Sequence, residues 1–489
     1  MIAQFIYLIT VFLLGVSFLK RFGKNLGILH HFLLSFPTGL VVWCLTVLVL
    51  FIMGLSDQRW LVFLVQAVVF IGCLLPFRWQ KKGWKLHIFA IFLAIFTVIA
   101  LFFLNLNLSF LSNDSWTQVS NGKIITSPYL LPDNIVASSG ILTYILHSAP
   151  PIFGFDYLYS IFPLMAFFAL LLLAVNVYAP EGTSGLFTGG PFLLAILAVI
   201  FTSGSFFFFF NTFFVHSGMP AGVAIFIAVF GLWKRLSTGD TAWNAVAVPS
   251  LVFFTLVRIE APLFTIFYLV ILFSLEEVGF KEKAFYFGAV FLFLGMWSFY
   301  LFVSLQDYWL TVNKYYMTSE RVLMVMGAYV LLFVLLFLTR WRLFNRLEKY
   351  LPFALVYFLT AGWTYVLFTH GLKVKGDGLI LQRYSNLILN VVREGGWGLL
   401  WIALIPLFIA AFFLKKIPGE SPVVMFIVSF FLFFQPLHLF RGGWRQGWGD
   451  SGNRMLHHIL PVLIFYVFLK FRYSLFSEKT LLGERGDRP

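Results

Sequence analysis

The chain has 489 residues, of which 61% are hydrophobic and 11% charged, about half the charged fraction of a typical soluble domain. A water-soluble fold is excluded. The net charge of +14 does not point to nucleic acid, because the Lys and Arg residues fall in short clusters between apolar runs instead of along one polar face. The two cysteines, Cys44 and Cys73, each sit within an apolar run and indicate neither a disulfide framework nor a thiolate metal site.

A helix needs about 20 apolar residues to cross hydrocarbon with its backbone hydrogen bonds satisfied internally. That criterion predicts an all-α polytopic membrane protein with about 13–14 transmembrane helices. In chain order they fall near 2–19, 28–54, 60–76, 86–104, 157–178, 190–210, 215–233, 246–275, 285–304, 322–338, 351–370, 397–414, 422–440 and 456–470. The first run has no basic residue before it and is followed by Lys20, Arg21 and Lys24, so it reads as a retained helix and not a cleaved signal. Cytoplasmic loops retain Lys and Arg. The clusters at 20–24, 78–85, 234–235, 281–283, 340–349, 415–416 and 470–488 therefore predict a cell-membrane protein with its N-terminus outside and its C-terminus cytoplasmic. Three regions are expected: an N-terminal four-helix module over 1–104, a core over 105–470, and a short cytoplasmic tail over 471–489.

The 246–275 run carries Arg258, Glu260 and Pro262. On one continuous helix, side chains two apart point about 200° from each other, so one charge would face lipid. Because Pro262 also biases Ala261 away from helix, a break at 258–262 is expected, with the charged pair in a protein-lined cavity; a buried pair that only locks helix packing is the alternative. The long polar segments 105–156, 305–321, 371–396 and 441–455 then all face outward, and function belongs there.

No Walker phosphate loop, dinucleotide fingerprint or HExxH zincin motif is present, which argues against a nucleotide-driven pump and a zincin protease. In the first external loop, Asp114 lies in Asn113-Asp114-Ser115. There it is a candidate general base or divalent-cation contact, or one of three candidate helix N-caps. His147 precedes the helix-breaking Pro150-Pro151 pair and is a candidate substrate contact, as is His216. The last loop holds Arg441 and Arg445 among glycines and tryptophans, then Arg454, His457 and His458. If the last span starts near Ser451, those three share a helix face and suit a lipid-linked phosphate. The alternative has Asp450 or Ser451 as the cap and the tryptophans as an interfacial belt.

Together, Asp114, the His147–Pro151 turn, Arg258-Ile259-Glu260 and the Gly449–Arg454 loop resemble the GT-C superfamily of polytopic glycosyltransferases. The resemblance implies a GT-C-like bundle that transfers a sugar from a polyprenyl-phosphate donor to a glycan, lipid or protein acceptor outside the membrane. It assigns Asp114 as base or metal contact and Arg454 as donor-phosphate clamp. The family's acidic loop usually follows the first helix, whereas here four spans precede it; either those spans are appended or Asp114 is not the family's acid. A transporter or flippase for lipid-linked saccharides, and an O-antigen-polymerase-like enzyme, are the other readings. The transporter should show inverted repeats with paired broken helices.

Overall fold

A computed structural model describes residues 2–74, 113–126, 140–155, 161–178, 189–214, 216–304, 319–338, 345–366, 369, 379–441, 446–447 and 451–483. The expected span at 86–104 lies outside the described residues, as do Arg445 and Asp450.

The chain is an all-α polytopic membrane protein. In order, its helices are α1 (Ile2–Phe22), α2 (Ile28–Ile52), α3 (Arg59–Leu74), α4 (Asn113–Ile125), α5 (Ile141–Ile145), α6 (Ala149–Phe153), α7 (Ile161–Tyr178), α8 (Gly189–Ser203), α9 (Phe206–Phe213) and α10 (Gly218–Thr238). There follow α11 (Asn244–Val257), α12 (Ala261–Ser274), α13 (Phe280–Ser304), α14 (Ser319–Leu338), α15 (Asn345–Val366), α16 (Leu379–Leu389), α17 (Leu400–Phe413), α18 (Glu420–Arg441) and α19 (Ser451–Gly483). A π-helical turn at Asn390–Glu394 extends α16. Among the described residues, eight helices are long and apolar enough to cross a membrane: α1, α2, α7, α10, α13, α14, α18 and α19. Two expected spans are each split into shorter helices: 246–275 becomes α11 and α12, and 190–210 becomes α8 and α9. The last helix runs past the expected boundary at 470, through the stretch expected as a tail, to Gly483.

The chain forms two compact units. Unit 1 comprises residues 1–168 and 213–352, and unit 2 comprises 169–212 and 353–489. In unit 1, α1 packs on α2, and α2 touches α11 and α5, so the helices expected in the 1–104 module share a core with those that carry Arg258 and His147. The core is aromatic. Tyr7 of α1 meets Trp43 of α2 edge-on at 5.1 Å and Phe153 of α6 at 5.3 Å, a geometry that puts a ring's positive edge against a neighbour's negative face.

In unit 2, α19 is the hub, packing on α8, α17 and α18. Its continuation past 470 has a packing cause. The Phe476 ring lies so close over Gly190 that a Cβ there would sit 2.3 Å from it, and the Arg472 guanidinium lies 5.6 Å over that same ring. Lys470 donates to the Leu414 carbonyl at 3.0 Å and to Glu420 at 2.9 Å.

Candidate functional site

Unit 1 buries the charged pair that the sequence singles out. The helix that carries Arg258 breaks where the sequence predicts. Val257 closes α11, Arg258 is extended (φ −135°, ψ 147°), and α12 begins at Ala261 with Pro262 in its first turn, the position where proline's missing N–H costs nothing. The break puts the charged pair together instead of on opposite helix faces. Arg258 Nε donates to Glu260 Oε1 at 2.9 Å and Nη2 to the same oxygen at 2.7 Å. The Glu260 side chain is 1% exposed and that of Arg258 12%.

Every exposed backbone group at such a break needs a partner. The Val257 carbonyl accepts from Thr143 Oγ1 at 2.5 Å, and the Pro262 carbonyl accepts from the Tyr329 hydroxyl at 2.7 Å. The Thr255 and Thr265 hydroxyls meet at 2.9 Å across the two half-helices. Gly140, which caps α5, sits against the break so closely that a Cβ would lie 2.4 Å from Val257 C and 2.5 Å from Arg258 N. Arg258 Nη1 also donates to Ser217 Oγ at 3.1 Å. Beside Ser217, His216 is buried and stacked on Phe214 at 5.4 Å, and its Nδ1 accepts from the Gly218 N–H at 3.3 Å. An Nδ1 that accepts leaves the imidazole proton on Nε2.

The other wall of α5 carries α4. Residues 115, 118, 121, 122, 125 and 126 of this segment are buried while Trp116 is exposed, so its buried face includes Ser115, Gln118 and Asn121. Gly122 lets the helices touch, since a Cβ there would sit 2.3 Å from His147 Cβ and 2.6 Å from the Tyr144 carbonyl. The α4 end is tied by Ser56 Oγ donating to the Ile125 carbonyl at 2.5 Å, and by Thr126 Oγ1 donating to the Ser148 carbonyl at 3.2 Å. Asp114 lies in the first turn of α4; its side chain is outside the described residues. An anion in a first turn is stabilised by the helix dipole.

His147, in the turn between α5 and α6, is fully buried with Phe162 at 5.8 Å. Burial pushes its pKa down to about 3, so the ring is neutral at pH 7. Neither ring nitrogen has a hydrogen-bond partner among the described residues, nor do Gln118 Oε1, Asn121 Nδ2 and Ser148 Oγ. Leaving a buried polar atom unmatched costs about 1–3 kcal/mol, and these five lie on the two segments, α4 and the α5–α6 turn, that meet at Gly122 and His147.

The last-loop residues belong to unit 2. α19 starts at Ser451, the register under which Arg454, His457 and His458 share a face; both histidines are fully buried, Arg454 is half-buried, and His457 stacks on Phe208 at 5.3 Å. Arg441 ends α18 and its side chain, like Arg445, lies outside the described residues. What holds this end of unit 2 is a set of amides that sequence reasoning missed. Asn390 Oδ1 accepts from the Gly447 N–H at 2.7 Å. Asn453 Nδ2 donates to the Gly395 carbonyl at 3.1 Å, while Trp397 Nε1 donates to Asn453 Oδ1. In unit 1 the overlooked residues are Gln118, Asn121 and Ser217. The i, i+3 spacing of Gln118 and Asn121 beside Gly122 was the available signal for the first two.

Among the described residues, no three His, Cys, Asp or Glu side chains gather as a metal site; the Asp114 side chain, the candidate cation contact, lies outside them. The structure therefore brings Arg258, Glu260, His147 and His216 into unit 1 and places Arg454, His457 and His458 in unit 2. Comparison with protein-family models, curated proteins and solved structures gives no match.

Proposed function

We propose that this chain is a membrane glycosyltransferase, moving a sugar from a polyprenyl-phosphate donor to a glycan, lipid or protein acceptor on the extracytoplasmic side. The observation that supports this reading most is the continuous packing inside unit 1 from the helix of Asp114 to the buried charges. Gly122 of α4 rests on α5, and α5, through Gly140 and Thr143, rests on the break that presents Arg258 and Glu260. Ionisable groups within a membrane protein's interior mark substrate paths by default. Groups held by a rigid second layer suit chemistry that needs orientation more than mobility.

In this reading Asp114 accepts the proton of the acceptor hydroxyl, that oxygen attacks the anomeric carbon, and the polyprenyl phosphate leaves with the bonding electrons. The anomeric configuration inverts.

The test is the full chain in proteoliposomes with labelled polyprenyl-phosphate hexoses and pentoses, scored for label transferred to acceptor or water. Wild type is expected to turn over at least one donor, with Asp114→Asn lowering the rate by 100-fold or more, the scale of a lost general base. Undiminished turnover in Asp114→Asn would remove its assigned role.

A flippase for lipid-linked saccharides is the second reading. One observation favours it: a second apolar run is also interrupted, at Gly204-Ser205 between α8 and α9, where Ser205 Oγ accepts from the Phe208 N–H at 3.1 Å. Broken helices in pairs are a transporter device. A fluorescent lipid-linked saccharide that crosses the bilayer in the same proteoliposomes, with no label transferred, decides for it.

A further inference from the structure

We infer that the contact between α4 and the α5–α6 turn in unit 1 is the binding site for the uncharged sugar moiety of the lipid-linked substrate, read by Gln118, Asn121, His147 and Ser148; this rests on the transferase reading above. Three observations carry it.

The first is satisfaction. Gln118 and Ser148 present a buried acceptor and hydroxyl, Asn121 a buried amide donor, and His147 two ring nitrogens; none of these five atoms has a partner among the described residues. All four residues are at least nine-tenths buried. Native proteins rarely bury such atoms unmatched, and a cluster of them marks a place where something else supplies the hydrogen bonds.

The second is charge. All four side chains are neutral, and the charged residues of the neighbouring break, Arg258 and Glu260, already engage each other. A phosphate or a cation buried here would lack a counter-charge and be disfavoured. A hydroxyl both donates and accepts, so a ring bearing several of them matches a mixed set of amide, imidazole and hydroxyl groups.

The third is shape and position. His147 lies against the Phe162 ring at 5.8 Å, so the polar set is bordered by an aromatic side chain, the mixture of apolar lining and a few polar groups that small-molecule sites use. The same helix α4 carries Asp114 at its start and the amides on its buried face, which puts sugar recognition and the proposed base on one rigid element.

The experiment uses the full chain in lipid nanodiscs with three probes: a polyprenyl phosphate, the corresponding polyprenyl-phosphate hexoses and pentoses, and the free sugars. Binding is read from tryptophan fluorescence and from the shift in Tm. The wild type is expected to bind at least one glycosylated lipid about tenfold or more tighter than the bare polyprenyl phosphate. In Gln118→Leu and Asn121→Leu, tested singly, that advantage is expected to vanish while the affinity for bare polyprenyl phosphate stays within twofold. Tm without ligand should hold or rise, because an apolar replacement removes an unmatched polar atom. The inference is overturned if the sugar adds no affinity in the wild type, if both variants retain the advantage, or if they lose Tm, which would mean that the amides serve the fold. The two readings fail separately. A sugar-dependent gain with no transfer activity sinks the transferase and leaves this site; transfer activity with no sugar-dependent gain does the reverse.

Discussion

The ion pair at the helix break gives the sharpest energetic prediction. Arg258 donates twice to one carboxylate oxygen, and the Glu260 side chain is 1% exposed, so removing the arginine strands a carboxylate away from water. Breaking a buried pair from one side costs about 3–5 kcal/mol, whereas replacing both partners with apolar groups of similar volume is close to neutral, because both desolvation penalties disappear together. Arg258→Met is therefore expected to lose about 3–5 kcal/mol and Glu260→Met somewhat less, since Arg258 is 12% exposed and keeps Ser217. The double variant should return to within about 1 kcal/mol of wild type. Unfolding in mixed micelles of rising denaturing-detergent fraction, followed by tryptophan fluorescence, measures all four corners of the cycle. An internal control comes with the molecule: Arg393 and Glu394 pair at 3.3 Å with side chains 82% and 41% exposed, where a coupling of under about 1 kcal/mol is expected. If the Arg258–Glu260 cycle gives a coupling as small as the control, or if the double variant costs the sum of the singles, the pair is not desolvated and the argument from burial fails. Transfer activity should be lost in all three variants, separating the pair's functional role from its structural one.

Three further outcomes follow from the same geometry. His147 binds no proton in the folded chain until about pH 3, whereas the unfolded chain takes one near pH 6.5; stability therefore rises with pH between those values, and lowering the pH to 5 should cost about 2 kcal/mol. A His147→Leu variant, compared with wild type in unfolding midpoints from pH 7 to 5, should lose that part of the slope; an unchanged slope would show that the imidazole is not buried. Gly140→Ala is allowed by its own backbone (φ −66°, ψ 133°), so any effect is steric: the new methyl meets the break at 2.4–2.6 Å and should cost about 1–3 kcal/mol, with Tm as the readout and no change counting against the contact. In unit 2, Asn453→Ala removes the bond from the Trp397 indole N–H and the one to the Gly395 carbonyl and should lower stability by about 2–4 kcal/mol; a smaller loss in the micelle titration would mean that other groups or water replace them.

Hydropathy located the long apolar helices and told little of how they meet one another. The break at 258–260 was legible because three residues argued the same way: two charges that one helix cannot face inward together, and a proline that fits only a new helix start. The split at Gly204-Ser205 was not, because Gly189–Ser203 and Phe206–Phe213 are both apolar and the Gly-Ser pair between them is common in membrane helices. Lys470 and Arg472 read as the start of a cytoplasmic tail; in the structure they lie within α19, where Lys470 finds Leu414 and Glu420, and Arg472 the Phe476 ring.

The candidate site escaped detection most where it is most polar. α4 has no apolar stripe to announce it, and a polar segment between spans reads as a solvated loop. Its buried residues include Ser115, Gln118 and Asn121 beside Val119 and Ile125, so the usual inference from polarity to exposure fails here. What fixes the direction is Gly122, and its meaning depends on His147, 25 residues later; likewise Gly140 is unremarkable until Val257 and Arg258 are placed against it. Contacts of that kind are properties of pairs distant in sequence, the Thr143–Val257 bond spanning 114 positions, and a single chain read in order offers each partner without the other. The glycines flanking a buried polar helix in a membrane protein are thus the residues at which a substitution tests both the fold and the site, because the methyl group that separates the helices also moves Asp114's helix away from the charged break.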